Sequence, residues 1–268
     1  MAAEMADVVR RNNVTVQGSG ALTLLLAHGL GCDQNVWHRV APALARDHRV
    51  VSFDHVGAGR SDRAAYDPAR YGSLEGYAQD LAEVARTLGP PAPVLVAHSI
   101  SGTLGLMASA AAPGLFDRMV LLAPNPCFLN HPPDYFGGLE RSDVDDFLAL
   151  MEQNFLGWAE ALVGMVARDA ETARAVSAGI SAADPRALRR FAELVFHSDV
   201  RELLPRVRAR ALVVQCSDDA VAPRSVGEFM CRKMPAATYR LVDVIGHCPQ
   251  LSRPALVEGL VREFAAAA

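Results

Sequence analysis

Seven short stretches, at 14–16, 22–27, 50–53, 94–97, 119–123, 211–215 and 239–242, are rich in β-branched residues or leucine and too short for helices. They predict seven strands. Those at 94–97 and 119–123 are apolar at every position, as expected of parallel strands covered on both faces. Between the strands, apolar residues recur with helical period. Leu74, Tyr77, Ala78, Leu81, Val84, Ala85 and Leu88 form one stripe of a helix that begins near Ser73 and stops before Gly89-Pro90-Pro91. Another helix follows Ser99. This β-α-β-α rhythm predicts an α/β fold, a mostly parallel, doubly wound sheet.

The rhythm breaks between about Pro124 and Val200. Four helical stretches, 143–155, 157–167, 170–182 and 185–197, follow one another there without a strand pattern. Strands then resume, with further helices at 225–233 and 254–264. The expected organisation is an α/β core, 1–123 and 201–268, interrupted by a helical insertion at 124–200. Eight of the seventeen aromatic residues fall in that insertion. A small helical layer needs large side chains to hold itself together, and aromatics beneath a cap also line ligand cavities.

Composition narrows the function classes. The 268 residues carry 26 basic and 30 acidic side chains, a net charge of −4, which gives no electrostatic footprint for nucleic acid. A hydrophobic fraction of 51% fits a packed globular chain rather than a disordered one. No apolar run approaches the roughly 20 residues that span a bilayer, and the N-terminus lacks a basic-then-apolar signal pattern. No membrane association is expected. Cys32, Cys127, Cys216, Cys231 and Cys248 are odd in number and scattered, without a C-x-x-C pair. They indicate neither a disulfide framework nor a zinc site, and a reduced, cytoplasmic protein without metal or cofactor is expected.

The chemistry concentrates at the ends of strands. Val94-Leu95-Val96-Ala97 runs into His98-Ser99-Ile100-Ser101-Gly102 and then a helix. A Ser at such a turn is held in a strained conformation with its hydroxyl clear of the sheet edge. The usual pattern is G-x-S-x-G; here Ala97 and Ser101, the next smallest residues, flank Ser99. A Ser that caps a helix after a strand is common, so this turn alone does not decide. After the second strand comes His28-Gly29-Leu30-Gly31. The Leu30 N–H, with that of Ile100, is placed to bind an oxyanion. Asp54-His55-Val56-Gly57-Ala58-Gly59-Arg60-Ser61 lacks both the G-x-G-x-x-G spacing and a Walker lysine, and reads as a structural turn. An acid past the strand at 211–215, Asp218 or Asp219, and His247 after the last strand lie at the same sheet edge as Ser99. The order Ser99, Asp219, His247 is that of a nucleophile, its orienting acid and its base.

With these residues the chain resembles an α/β hydrolase along nearly its whole length. It is most similar to the family of the bacterial stress-response regulator RsbQ and the plant karrikin and strigolactone receptors. The resemblance is carried by His28-Gly29-Leu30-Gly31-Cys32-Asp33-Gln34-Asn35-Val36-Trp37, Tyr71-Gly72-Ser73-Leu74-Glu75-Gly76-Tyr77-Ala78-Gln79-Asp80 and Pro126-Cys127-Phe128-Leu129-Asn130. Tyr135-Phe136-Gly137-Gly138-Leu139-Glu140, Phe196-His197-Ser198-Asp199-Val200-Arg201 and Gly246-His247-Cys248-Pro249-Gln250-Leu251-Ser252 complete it. It implies the α/β-hydrolase fold with a cap of four helices, in two V-shaped pairs, over an apolar pocket. By position in the cap motifs, Phe128, Leu139, Trp158, Leu162 and Phe196 would line that pocket, joined by Val221 from the loop that carries Asp219. For Trp158 and Leu162 the alternative is helix-on-helix packing at i, i+4 spacing. The family loop Asp-x-x-x-Pro, here ending in Pro223, favours Asp219 over Asp218. Ala97 stands where the family generally has Gly. Leu30 and Leu139 stand where the plant receptors carry aromatics, so those receptors' ligands are not implied.

The expected activity is cofactor-independent hydrolysis of a small apolar ester or lactone by Ser99, Asp219 and His247. The alternative is a ligand-sensing signalling module with slow hydrolysis; the resemblance implies a PAS-domain phosphatase as its partner. Haloalkane dehalogenases and epoxide hydrolases need a carboxylate at the position of Ser99. C–C hydrolases and perhydrolases use the same three residues and stay open.

Overall fold

The computed structural model describes residues 2–88 and 91–267. Its seven strands are β1 (Thr15–Gln17), β2 (Thr23–Ala27), β3 (Arg49–Ser52), β4 (Val94–His98), β5 (Arg118–Leu122), β6 (Arg210–Asp218) and β7 (Ala237–Ile245). They form one sheet in the order β1-β3-β2-β4-β5-β6-β7. Only β1 runs antiparallel to its neighbour; every other pair is parallel. All five residues of β2 and of β4 are buried, so their sequences show no alternation. β6 and β7 run to nine residues each, beyond their apolar stretches. Pairing of Cys216 with Val242 and of Asp218 with Ile245 recruits the extra polar positions.

Four helices accompany the first half of the sheet: α1 (Ala2–Arg11), α2 (Ala41–Leu44), α3 (Leu74–Leu88) and α4 (Ile100–Ala111), with α1 packed on α3. Gly89 and Pro90, read from the sequence as the stop of α3, lie outside the described residues. The pattern did not predict α1. Val8 anchors that helix in the core, and Arg11 reaches Glu83 (2.5 Å) and the buried Asp80 (3.3 Å) on α3.

The connection from β5 to β6 holds α5 (Arg141–Gln153), α6 (Phe155–Val166), α7 (Ala170–Ala182) and α8 (Pro185–Phe196). Side-chain caps start three of them. Asn154, Asp169 and Asp184 accept from the amides of Gly157 (3.0 Å), Thr172 (2.8 Å) and Arg186 (2.9 Å). Asn154 ends α5 and caps α6 at once. The break therefore falls a residue or two earlier than the sequence spacing suggested. After β6, α9 (Arg224–Lys233), α10 (Pro249–Ser252) and α11 (Pro254–Ala266) complete the core. Among the described residues no helix is long and apolar enough to cross a membrane.

Candidate active site

Ser99 is the single residue between β4 and α4. Its φ of +55° and ψ of −125° lie in a region that costs a non-glycine residue about 1–3 kcal/mol. Bonds from both sides hold it: the Ser99 amide donates to Leu122 O on β5 (2.9 Å), and Ser99 O accepts from Gly102 (2.8 Å). Gly102 and Gly105 let α4 approach so closely. A Cβ on Gly102 would stand 3.0 Å from Pro124, and one on Gly105 would stand 2.5 Å from Leu95. Close packing is therefore met one turn further on, and the turn tolerates Ala97 and Ser101.

The structure brings Ser99, Asp219 and His247 together. Ser99 Oγ lies 2.8 Å from His247 Nε2, and His247 Nδ1 lies 2.7 Å from Asp219 Oδ2. Because the carboxylate only accepts, Nδ1 carries the proton and Nε2 is free to take one from Ser99. Asp219 Oδ1 accepts from the amides of Val221 (2.8 Å) and Ala222 (3.1 Å), so both carboxylate oxygens are engaged. The Asp219 and His247 side chains are buried, whereas Asp218 is exposed. His247 itself is fixed by its main chain. Its amide donates to Val166 O at the end of α6 (2.9 Å), and Gly246 precedes it with a φ of +100°. His98 Nε2 donates to His247 O (2.9 Å). Burial, and then the neighbouring His247, push the His98 pKa down to about 3, so this ring stays neutral.

Leu30 shares the cavity with Ser99, and Ile100 follows it as the first residue of α4. Among the described residues neither amide donates within the protein: Ile100 is the first residue of α4, and the loop leaves the Leu30 amide without an acceptor. Together they can receive an oxyanion. The cysteines nearby are poor competitors for nucleophilic chemistry. Burial pushes the thiols of Cys32 and Cys216 up to about 12 and that of Cys248 well above its usual value.

A cavity of about 20 Å³ lies over Ser99. Phe128, Leu162, Phe196 and Val221 line it, with Val166, Val195, Cys32 and Cys248. Trp158 and Leu139, expected there, do not. Trp158 is fully buried between Phe147 and Phe155, with ring centroids 5.6 and 5.7 Å away. Phe147 in turn meets Phe196 (5.4 Å), so the indole stands one layer behind the wall. Leu139 pairs by main chain with Phe128 O and the Asn130 amide where the chain leaves the core, which sets it beside the cavity.

The sequence reading passed over Asn125, which holds this region together. Its buried amide donates to Gly137 O (2.8 Å) and Val221 O (3.0 Å) and accepts from Tyr135 Oη (2.9 Å) and the Cys127 amide (3.2 Å). One side chain thus ties the end of β5, the start of the cap and the acid loop. A lone Asn between two prolines carries no periodic signal. Farther out, Cys127, His131 and Asp199 place possible metal-ligand atoms within 4.8 Å of one another. Both Asp199 oxygens are already gripped by the Arg201 guanidinium (2.8 and 2.5 Å), a cation that opposes a second one.

A family model described as the alpha/beta hydrolase fold matches residues 23–254. Karrikin insensitive 2 receptor CA of Petunia hybrida is 34% identical, over 94% of this chain and 95% of the receptor. Strigolactone esterase D14 of Arabidopsis thaliana is also 34% identical, over 96% of this chain and 97% of the esterase. Among solved structures, the hydrolase olei00960 of Oleispira antarctica superposes with a TM-score of 0.95 at 36% identity, with 98% of each chain covered.

Proposed function

This chain belongs to the α/β hydrolase fold family, alongside the karrikin and strigolactone proteins, and from that premise we propose that it hydrolyses a small, mostly apolar ester or lactone with Ser99 as nucleophile. The observation that carries the reading is the unbroken path Ser99 Oγ, His247 Nε2, His247 Nδ1, Asp219 Oδ2, at 2.8 and 2.7 Å, beneath an apolar cavity. Ser99 Oγ bonds to the substrate carbonyl carbon while its proton passes to His247 Nε2. The carbonyl oxygen takes the negative charge, and the Leu30 and Ile100 amides bind it. The carbon–oxygen ester bond then breaks, and His247 returns the proton to the leaving alkoxide. In a lactone that alcohol stays tethered to the acyl group. Water, deprotonated by His247, releases the acyl group and restores Ser99. Asp219 holds the imidazole in its Nδ1–H tautomer and stabilises the imidazolium.

A serine-reactive phosphonate is expected to label Ser99. Ser99→Ala is expected to abolish both labelling and p-nitrophenyl acetate turnover. Mass spectrometry that places the label on Cys248 or Cys216, or turnover that survives Ser99→Ala, rejects the assignment.

A second role beside hydrolysis finds support in the lining of the site: Phe128, Leu162 and Phe196 border the cavity, so a ligand there touches the cap directly, and one relative bears the name karrikin insensitive 2 receptor CA. In this reading the chain signals through a partner, a PAS-domain phosphatase in the bacterial branch. Capture of such a phosphatase by the Ser99→Ala protein supports docking that is independent of chemistry.

A further inference from the structure

Three buried polar side chains behind Ser99 have no part in the steps above: His28, His55 and Ser101. Their hydrogen bonds can be assigned without ambiguity. His28 Nδ1 lies 2.9 Å from Gly29 O, which only accepts, so Nδ1 bears the proton. His28 Nε2 accepts from the His55 amide (3.1 Å), which fixes the same tautomer from the other side. Ser101 Oγ donates its one proton to His28 O (2.5 Å). His55 Nε2–H therefore donates to Ser101 Oγ (2.7 Å) and, more weakly, to His28 O (3.2 Å).

We infer that Ser101 and His55 are positioning residues of the oxyanion hole that act through His28, an inference that rests on the hydrolase reading. The peptide plane explains how. Gly29 C=O and Leu30 N–H belong to one planar trans unit and point in opposite directions. Two donors hold the carbonyl on the far side, His28 Nδ1–H and the Cys32 amide (3.3 Å), so the N–H is aimed away from them, toward the cavity. A bond at the carbonyl also polarises the unit and makes its N–H the stronger donor. Ser101 adds the spacing. It follows Ile100, which supplies the other amide, and its hydroxyl reaches the peptide that starts the Leu30 loop. One hydroxyl thus sets the separation of the two oxyanion donors. The Gly usual at this position of the turn has no atom to do so.

Packing alone does not account for the imidazole of His55. Phe53, Tyr77 and Phe191 surround it, with centroids at 5.2, 6.2 and 5.9 Å, and its buried Nδ1 has no partner among the described residues. An apolar side chain would fill the same space without that cost.

The test uses the full chain with Ser101→Ala and His55→Phe. Three readouts are needed: kcat and KM for p-nitrophenyl acetate, the affinity of a trifluoromethyl ketone whose hemiketal oxyanion occupies the hole, and thermal stability. Removal of an oxyanion donor outright costs about 10²–10³ in kcat, and a misaimed donor should cost about tenfold. Inhibitor affinity is expected to fall by a similar factor. KM and the pH profile should stay unchanged, because the Asp219–His247 pair is untouched. If Ser101→Ala does not fold, Ser101→Gly gives the same readout. Wild-type kcat and inhibitor affinity in both variants overturn the inference while leaving the hydrolase reading intact. Losses that follow KM or stability alone also overturn it. A wild-type chain without any esterase turnover overturns both.

Discussion

Ser99 carries a φ of +55° because β4 must turn into α4 within one residue, and the Leu122 carbonyl and the Gly102 amide hold it there from either side. That turn presents the hydroxyl to His247 at 2.8 Å. The acid is settled by a comparably local feature. Asp218 closes β6, with its carbonyl bonded to the Gly246 amide (2.8 Å) and its side chain exposed. Asp219, one residue on, turns inward and accepts from Val221, Ala222 and His247. Asparagine at 219 would leave the imidazole in the wrong tautomer, an effect of about 10⁴ in rate in the well-studied protease case. Asp219→Asn is expected to lose activity on that scale and Asp218→Asn less than about threefold; steady-state kinetics that rank them the other way reject Asp219. The adjacent pair Asp218-Asp219 was legible in the chain, but only the resemblance to the family loop, not the strand pattern, separated the two. A shift of one residue decides which side chain faces the sheet edge, and pairing with β7 sets that.

At the scale of elements, the cap holds two layers of aromatics. Phe128 and Phe196, 5.4 Å apart, face the cavity, and Phe147 links them to Trp158 behind. The layers predict opposite responses to truncation. Trp158→Ala should cost about 3–5 kcal/mol, since it opens a hole in a filled core, and should leave chain-length preference among p-nitrophenyl esters unchanged. Phe196→Ala removes part of a wall that already borders a void, so it should cost less and raise kcat/KM for butyrate and hexanoate relative to acetate. Urea midpoints and an ester series measure both. A selectivity change in the Trp158 variant would move that residue into the wall. The helical stripes between β5 and β6 were readable. Which stripe roofs the cavity was not, because α5, α6 and α8 each offer aromatics and only their crossing decides which face Ser99.

For the molecule as a whole, the polar layer under the cap has a consequence in acid. His98 and His55 are buried neutral, and burial is the first cause of both lowered pKa values, with neighbouring histidines adding to it. In the unfolded chain each titrates near 6.5. Below that pH the unfolded state binds protons that the folded state refuses, so the stability His98 contributes is fully present above about 6.5 and is lost as the pH falls toward about 3, and His55 acts in the same direction. Buried Asp80, its carboxyl raised by desolvation, works in the opposite sense. A comparison with His98→Gln isolates the histidine contribution. The urea midpoint of the wild type should fall more steeply between pH 6.5 and pH 4 than that of the variant. Equal slopes would mean that His98 accepts a proton without unfolding.

By itself the sequence determined the α/β fold class, the seven strands and the helical runs between β5 and β6. Each of these is written in local terms: runs of β-branched residues, turn glycines and helical period act over a few positions. The short helix α1 escaped because its apolar contact is small, Val8 with part of Val9, and its ion pairs reach residues of α3 some seventy positions away. Tertiary structure alone decided the rest. It made Asn125 the tie between β5, the cap and the acid loop, drew Ser101, His55 and His28 into one network, and moved Trp158 and Leu139 off the cavity wall. These depend on where separate elements cross, and a crossing is fixed by packing between distant side chains, which no local pattern along the chain records.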